Sequence, residues 1–152
     1  MTPRILTDSD KKISKDIYFI PVKKDGTPLL DTSNVTNMKF IFTECSNLMI
    51  IPLLDTNNAI NMSYMFNLCS NLVTVPILNT SSVTNMNYMF NDCLSLSNES
   101  LNNILMIYKN AVKITDNKTL KYIIGLTSDQ ATICQGLSNY SAFIAAGWTT
   151  GY

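Results

Sequence analysis

Between residues 28 and 97 the apolar and polar positions repeat on a fixed schedule of 24 residues. Asn-Met-Lys-Phe-Ile-Phe-Thr-Glu-Cys-Ser-Asn-Leu runs from Asn37 to Leu48. It returns as Asn-Met-Ser-Tyr-Met-Phe-Asn-Leu-Cys-Ser-Asn-Leu from Asn61 to Leu72, and as Asn-Met-Asn-Tyr-Met-Phe-Asn-Asp-Cys-Leu-Ser-Leu from Asn85 to Leu96. Other columns keep the same beat: Pro28, Pro52 and Pro76, then Leu30, Leu54 and Leu78, then Thr32, Thr56 and Thr80. A period of this length marks stacked repeat units, none of which can bury its own apolar face.

The spacing inside each unit predicts its elements. From Met38, the residues Phe40, Ile41, Phe42 and Cys45 lie 2, 3, 4 and 7 positions on. That reads as one face of a two-turn helix over about 38–45, recurring 24 and 48 residues later, with the aromatics at 40, 64 and 88 facing inward. Leu48 to Pro52 and Leu72 to Pro76 are short, β-branched and closed by proline, as for a strand one coil wide. Leu48 and Leu72 are expected to point inward, with Ile50 and Thr74 outward from the sheet face. The Asp31, Asp55 and Asn79 segments carry turn chemistry, and Asn37, Asn61 and Asn85 are placed to cap the short helices.

Outside the repeats, Ile17 to Val22 is β-prone and leads into an Asp25-Gly26 turn, which predicts a strand-and-turn cap over 1–27. The charged run from Asp8 to Asp16 reads as a solvated lead-in. After Leu96 the repeat breaks. Leu101, Ile104, Leu105, Tyr108 and Val112 predict a helix over about 99–111, capped by Ser97 or Asn98. Lys118 to Ile124 suggests a last strand, ended by Gly125. Thr127 to Gln130 is a capping box. Gly136 should stop that helix, Ser138 cap the next and Gly147 stop it, with Ala131, Cys134, Leu137, Tyr140 and Phe143 facing a core closed by Trp148. The expectation is a single domain over 1–152: cap 1–27, three repeats over 28–97, and a helical cap over 98–152.

Asp-Thr-Ser-Asn-Val-Thr-Asn-Met (31–38), followed by Asn-Met-Ser-Tyr-Met-Phe-Asn-x-Cys-Ser-Asn-Leu (61–72), resembles the BspA-type leucine-rich repeat of surface proteins, mycoplasma lipoproteins and phage or prophage proteins of low-GC bacteria. The resemblance covers about 28–97. It implies an α/β repeat fold, a short leucine-rich-repeat solenoid of three 24-residue coils with parallel strands and short helices. It also implies a binding module in place of a catalyst. Surface members carry a signal peptide or wall anchor and longer arrays. The 98–152 segment resembles the tails that follow such repeats in phage and prophage proteins.

Composition narrows the function classes. The 152 residues hold 11 basic and 11 acidic side chains and no histidine. A net charge of zero offers no basic footprint for nucleic acid. Missing histidine removes the commonest general base and metal ligand. Three of the four cysteines, Cys45, Cys69 and Cys93, fall on the repeat and so follow the fold, as small apolar groups and not as metal ligands. The same holds for the methionine column beside Phe42, Phe66 and Phe90. No nucleophile elbow, phosphate loop or calcium loop occurs. The reading is therefore non-enzymatic, with no cofactor and no metal. No segment reaches the ~20 apolar residues of a membrane span, and residues 1–8 have no signal-peptide run. Membrane insertion is not expected. The chain reads as cytoplasmic unless an assembly carries it to a virion or bacterial surface.

In a stacked repeat the scaffold columns set spacing and the varying columns set chemistry. The varying columns are Lys39/Ser63/Asn87, Glu44/Leu68/Asp92, Met49/Val73 and Ile50/Thr74. The candidate binding residues are thus Met49, Ile50, Val73, Thr74, Lys39, Glu44, Leu68 and Asp92, facing a protein or glycan partner. The alternative is a structural component of a phage particle, a head or tail-fibre decoration that itself contacts the host. Capsid or tail genes beside this one would favour that alternative.

Overall fold

A computed structural model describes residues 4–5, 7, 20, 22–26, 28–116, 118 and 124–151. Its strands are β1 (Arg4–Ile5) and β2 (Leu30–Asp31), paired in parallel with Arg4 opposite Leu30. Its helices are α1 (Asn98–Lys109), α2 (Ser128–Gln135) and α3 (Tyr140–Ala145). Among the described residues no helix is long and apolar enough to cross a membrane.

The three repeats lie on one another through main-chain hydrogen bonds. The N–H groups of Met38, Phe40, Phe42 and Glu44 donate to the carbonyls of Asn61, Ser63, Met65 and Asn67 at 2.7–3.3 Å. One coil on, Met62, Tyr64, Phe66 and Leu68 donate to Asn85, Asn87, Met89 and Asn91 at 2.8–2.9 Å. On another side of the coil, Ile50 and Thr74 form a parallel bridge. Side chains follow the register. Phe42, Phe66 and Phe90 stack with centroids 5.3 and 5.6 Å apart, fully buried beside Met38, Met62, Met86 and the cysteine column. The buried hydroxyls of Thr32 and Thr56 donate to the carbonyls of Asp55 and Asn79 in the next coil, at 2.7 and 2.8 Å.

The segments 38–45, 62–69 and 86–93 are not helical. Each is a run of tight turns, with Ile41 N–H bonded to Met38 O, Thr43 to Phe40 and Cys45 to Phe42. The third residues of the first and last turns, Phe40 and Glu44, have φ of 64° and 61°, as type II turns require. The physical reason is the stacking distance. Rings repeating every 5–6 Å leave no room for helices, which pack about 8–10 Å apart. Alternate N–H groups are also committed to the next coil and cannot close i→i−4 bonds.

Positive φ turns the aromatic column outward, correcting the inward placement. Phe40 is exposed and Tyr64 and Tyr88 are half-buried, and they stack on each other at 5.1 and 5.3 Å. The 48–52 strand is reduced to the single bridge at Ile50. Leu48 and Leu72 are nevertheless buried while Ile50 and Thr74 are exposed.

At the N-terminal side, Gly26 (φ 84°) donates to Lys23 O in a turn, and Val22 bridges Pro28 antiparallel. The rest of the Ile17–Val22 strand, Ile20 apart, lies outside the described residues, as does most of the Lys118–Ile124 strand.

The C-terminal segment closes the other end. Ser97 caps α1 by accepting from Ser100 N. The helix stops at Lys109, so Val112 lies beyond it and is exposed. α1 stands in for a fourth coil. Ile107 O accepts the Thr80 hydroxyl, Tyr108 OH donates to Met86 O, and Ser100 Oγ donates to Val73 O while accepting from Val75 N. The helices pack on it, α1 against both α2 and α3. Thr127 and Gln130 form the capping box of α2, and Gly136 ends it. Residue 139, not Ser138, occupies the N-cap of α3 without a side-chain cap bond, because Ser138 Oγ instead accepts from Asn102 Nδ2. Ala131, Cys134, Phe143 and Trp148 are buried, with Leu137 and Tyr140 partly buried against them. Trp148 meets Tyr108 edge-on at 5.1 Å and stacks on Phe143 at 5.8 Å.

Ile124 continues the main-chain ladder by accepting from Phe90 N–H, the place Met65 and Met89 hold in earlier coils. The next residue, Gly125, has φ of 81°, and a Cβ there would stand 2.6 Å from Asn91 Cβ and 2.7 Å from its Cα. Gly125→Ala should therefore lower stability by about 2 kcal/mol or more, read as a drop in the denaturant midpoint. An unchanged midpoint would show that this junction does not seal the stack.

Candidate surface sites

The candidate residues fall in two segments of the coil. Met49 and Ile50 lie beside Val73 and Thr74 in the next coil: the N–H groups of Val73 and Thr74 both donate to Met49 O at 2.9 and 3.1 Å. Met49, Ile50 and Thr74 are exposed and Val73 is half-buried. Sequence reasoning missed their apolar extension. Leu53 and Ile77, one coil apart, are 62% and 44% exposed and edge a 410 Å³ cleft with Asp55 and Asn79. The signal was present, since Leu53/Ile77 is a column that keeps apolar character one position after the strand-ending proline.

The second group sits on the turn segment. Glu44, Leu68 and Asp92 hold equivalent exposed positions, all with φ of 57–63°. Lys39 is exposed, with Nζ 4.7 Å from the Phe40 ring centroid. The other members of its column differ: Asn87 is exposed, but Ser63 is buried, donating its hydroxyl to Asn61 Oδ1 at 2.7 Å. The asparagine column does cap, but it caps turns: Asn37, Asn61 and Asn85 each accept through Oδ1 from the N–H two residues on. A second amide column joins the coils. Asn67 Nδ2 donates to Thr43 Oγ1 and Asn91 Nδ2 to Asn67 Oδ1.

The outward aromatics form the third feature. In the Phe40–Tyr64–Tyr88 stack each ring face lies against the next, and Lys39 lies over Phe40.

The cysteines face inward. All four are buried and none is in a disulfide. Cys69 and Cys93 each point at the preceding coil, with Sγ 3.1 Å from Phe42 O and Phe66 O. Gln130 of α2 closes the column by donating to Cys93 O at 2.7 Å. Burial pushes the Cys93 and Cys134 thiols up from 9.0 to about 12. Cys69 is pushed up too, first by its bond with Cys45 and then by burial. Such thiols are protonated and unreactive at neutral pH. Among the described residues no three His, Cys, Asp or Glu side chains gather as for a metal.

Residues 18–119, a span holding all three repeats and α1, match the family model described as mycoplasma protein of unknown function, DUF285. The chain belongs to the DUF285 family. No curated protein and no solved structure gives a match. In this DUF285 chain the family region coincides with the stacked coils and the helix that ends them, while α2 and α3 lie beyond it.

Two outcomes test the geometry. Leu68 holds φ of 63°, which costs an L-residue with a side chain about 1–2 kcal/mol, and its side chain is exposed. Leu68→Asn should therefore raise stability by up to about 1 kcal/mol in chemical denaturation, whereas Leu68→Val should lower it. The buried thiols set a pH dependence. Above pH 9 an unfolded chain loses thiol protons that the folded chain keeps, so the folded state binds more protons and stability falls as pH rises. Denaturation midpoints should decline between pH 9 and about 12, less steeply in Cys134→Ala. A slope unchanged by that substitution would exclude the thiol as its source.

Proposed function

We propose that this DUF285 chain is a non-catalytic binding module of the BspA-type leucine-rich-repeat kind, a short capped solenoid that recognises a protein partner. The repeat motif at 31–38 and 61–72 supports the family reading, and the family match spans the same coils. The observation that carries the function is the division within one short segment. Leu48, Ile51, Leu72 and Val75 are at most 2% exposed, while Met49 and Ile50 between them are 54% and 55% exposed. Main-chain bonds already hold the coils together here, so the outward Met49, Ile50, Leu53 and Ile77 are not needed to stack them. Contiguous exposed apolar side chains on a rigid backbone suit a protein surface, with methionine adapting to its shape. The turn-segment residues Lys39, Glu44, Leu68 and Asp92 are the secondary candidates, on a different part of the coil.

The test is retention of the purified chain on an array of surface proteins and glycans, with the Ile50→Asp/Thr74→Lys variant alongside. The variant should lose at least about tenfold in affinity for the protein retained by the parent, with its melting temperature unchanged, since both side chains are exposed. Binding that survives both changes, or a parent that retains only glycans, would overturn the assignment.

A further inference from the structure

A groove of different chemistry crosses all three coils. Its 430 Å³ volume is lined by Asn34, Thr36, Asn57, Asn58, Ile60, Ser82 and Lys113. Asn34, Asn58 and Ser82 are one column of the repeat, 24 residues apart, so three successive coils each present an amide or hydroxyl to the same channel. Among the described residues the lining holds no carboxylate. Its cation, Lys113, follows α1 and so comes from the cap and not from the repeats. Lys113 also edges an adjoining 270 Å³ groove, where Asn85, Asn87 and Asp116 lie.

We propose that this groove binds a saccharide bearing an acidic group. Carboxamides donate and accept at once, which is what vicinal hydroxyls require, and a row of them at coil spacing can follow successive hydroxyls along a sugar chain. Two of the amides are fixed beforehand: Asn58 Nδ2 donates to Ser33 O at 2.7 Å, and Asn57 Oδ1 accepts from Asn79 Nδ2. Groups already held in place bind without a further ordering cost. Ile60, exposed at the same groove, offers the apolar contact that the C–H face of a pyranose takes. Lys113 supplies a point charge for a carboxylate or sulfate, and among the described residues no acidic side chain lines this groove, Asp116 lying in the adjoining one. The volume lies in the range of small-ligand sites. This groove shares Asn57 with the Leu53–Ile77 cleft but takes none of its lining from Met49, Ile50 or Thr74.

The experiment is titration calorimetry of the full chain with sialyllactose, a hyaluronan tetrasaccharide, lactose and inorganic phosphate. At least one acidic saccharide should bind with Kd below about 1 mM, at least tenfold tighter than lactose or phosphate. Lys113→Glu should abolish that preference and Asn34→Ala/Ser82→Ala should weaken binding at least threefold. Ile50→Asp, on the other face, should leave it intact, which separates this site from the protein-binding proposal. Four outcomes would overturn the inference: no binding by either acidic saccharide, phosphate binding as tightly, an affinity indifferent to Lys113→Glu, or one indifferent to Asn34→Ala/Ser82→Ala. Circular dichroism of each variant distinguishes loss of binding from loss of fold. Should both Lys113→Glu and the double variant unfold, Lys113→Gln and Ser82→Ala alone provide the same readout.

Discussion

Each of the first two repeats gives four alternate N–H groups to the carbonyls of the next, and the remaining features follow from that commitment. A backbone that sends every second amide sideways has only the intervening amides for local bonds. Those close four-residue turns instead of helical ones. The turns place one residue in four at positive φ, and that residue's side chain leaves the core. Two outward columns result, Phe40/Tyr64/Tyr88 and Glu44/Leu68/Asp92, around an inward set of methionine, phenylalanine and cysteine. Six bulky or charged residues in the left-handed region are a standing cost. Main-chain bonding repeated in register offsets it, because a buried carbonyl or amide left unpaired costs about 1–3 kcal/mol.

A stack of this kind has ends, and this chain ends it by imitation. α1 does not add a strand; it brings side chains to the positions a fourth coil's backbone would fill. Ser100 serves both Val73 O and Val75 N, Asn103 serves Val75 O, and Tyr108 serves Met86 O. The Ile124 carbonyl supplies one true main-chain rung. The glycine after it is the residue on which the match depends, since a Cβ there would stand 2.7 Å from the Asn91 Cα. At the opposite end β1 pairs with Leu30 and Asp31, the start of the first coil.

What the sequence disclosed, and what it hid, divides along the same line. Column identity is visible in one chain, because residues 24 apart meet the same surroundings: Met38, Met62 and Met86 are all buried, as are the threonine hydroxyls. Local conformation was not. Met38, Ile41, Phe42 and Cys45 are spaced 3, 4 and 7, which is the burial pattern of a helix, and they are indeed the buried residues. Linked turns of four residues bury the same positions, so periodicity does not separate the two. The aromatic at position 40 was the clue, since a spacing of 2 lies off that helical face. The cap was legible where the chemistry is local, as in the Thr127–Gln130 box. It misled where a tertiary contact intervened, as Asn102 does at Ser138. Of the candidate residues, Ile50 and Thr74 stand outward, though not by alternation, since Met49 and Ile50 are exposed together between buried Leu48 and Ile51. In the Lys39 column Ser63 does not, because its hydroxyl completes the Asn61 turn.

The two outward chemistries follow from where the backbone needs help. Around Met49–Ile51 and Val73–Val75 the main chain bonds to its neighbours directly, and the side chains between can be apolar and exposed. At Ile60 and Asn61 the main chain again bonds the coils, but just before them amides do so, with Asn58 reaching Ser33 O and Asn79 reaching Asn57. A side chain that bridges two coils must be polar, and it lines a polar channel as a consequence. Lys113 is the exception, since it bridges nothing in the repeat and arrives from the chain that follows α1. Stacking explains the amides; it does not explain a lone cation at the mouth of the channel they form.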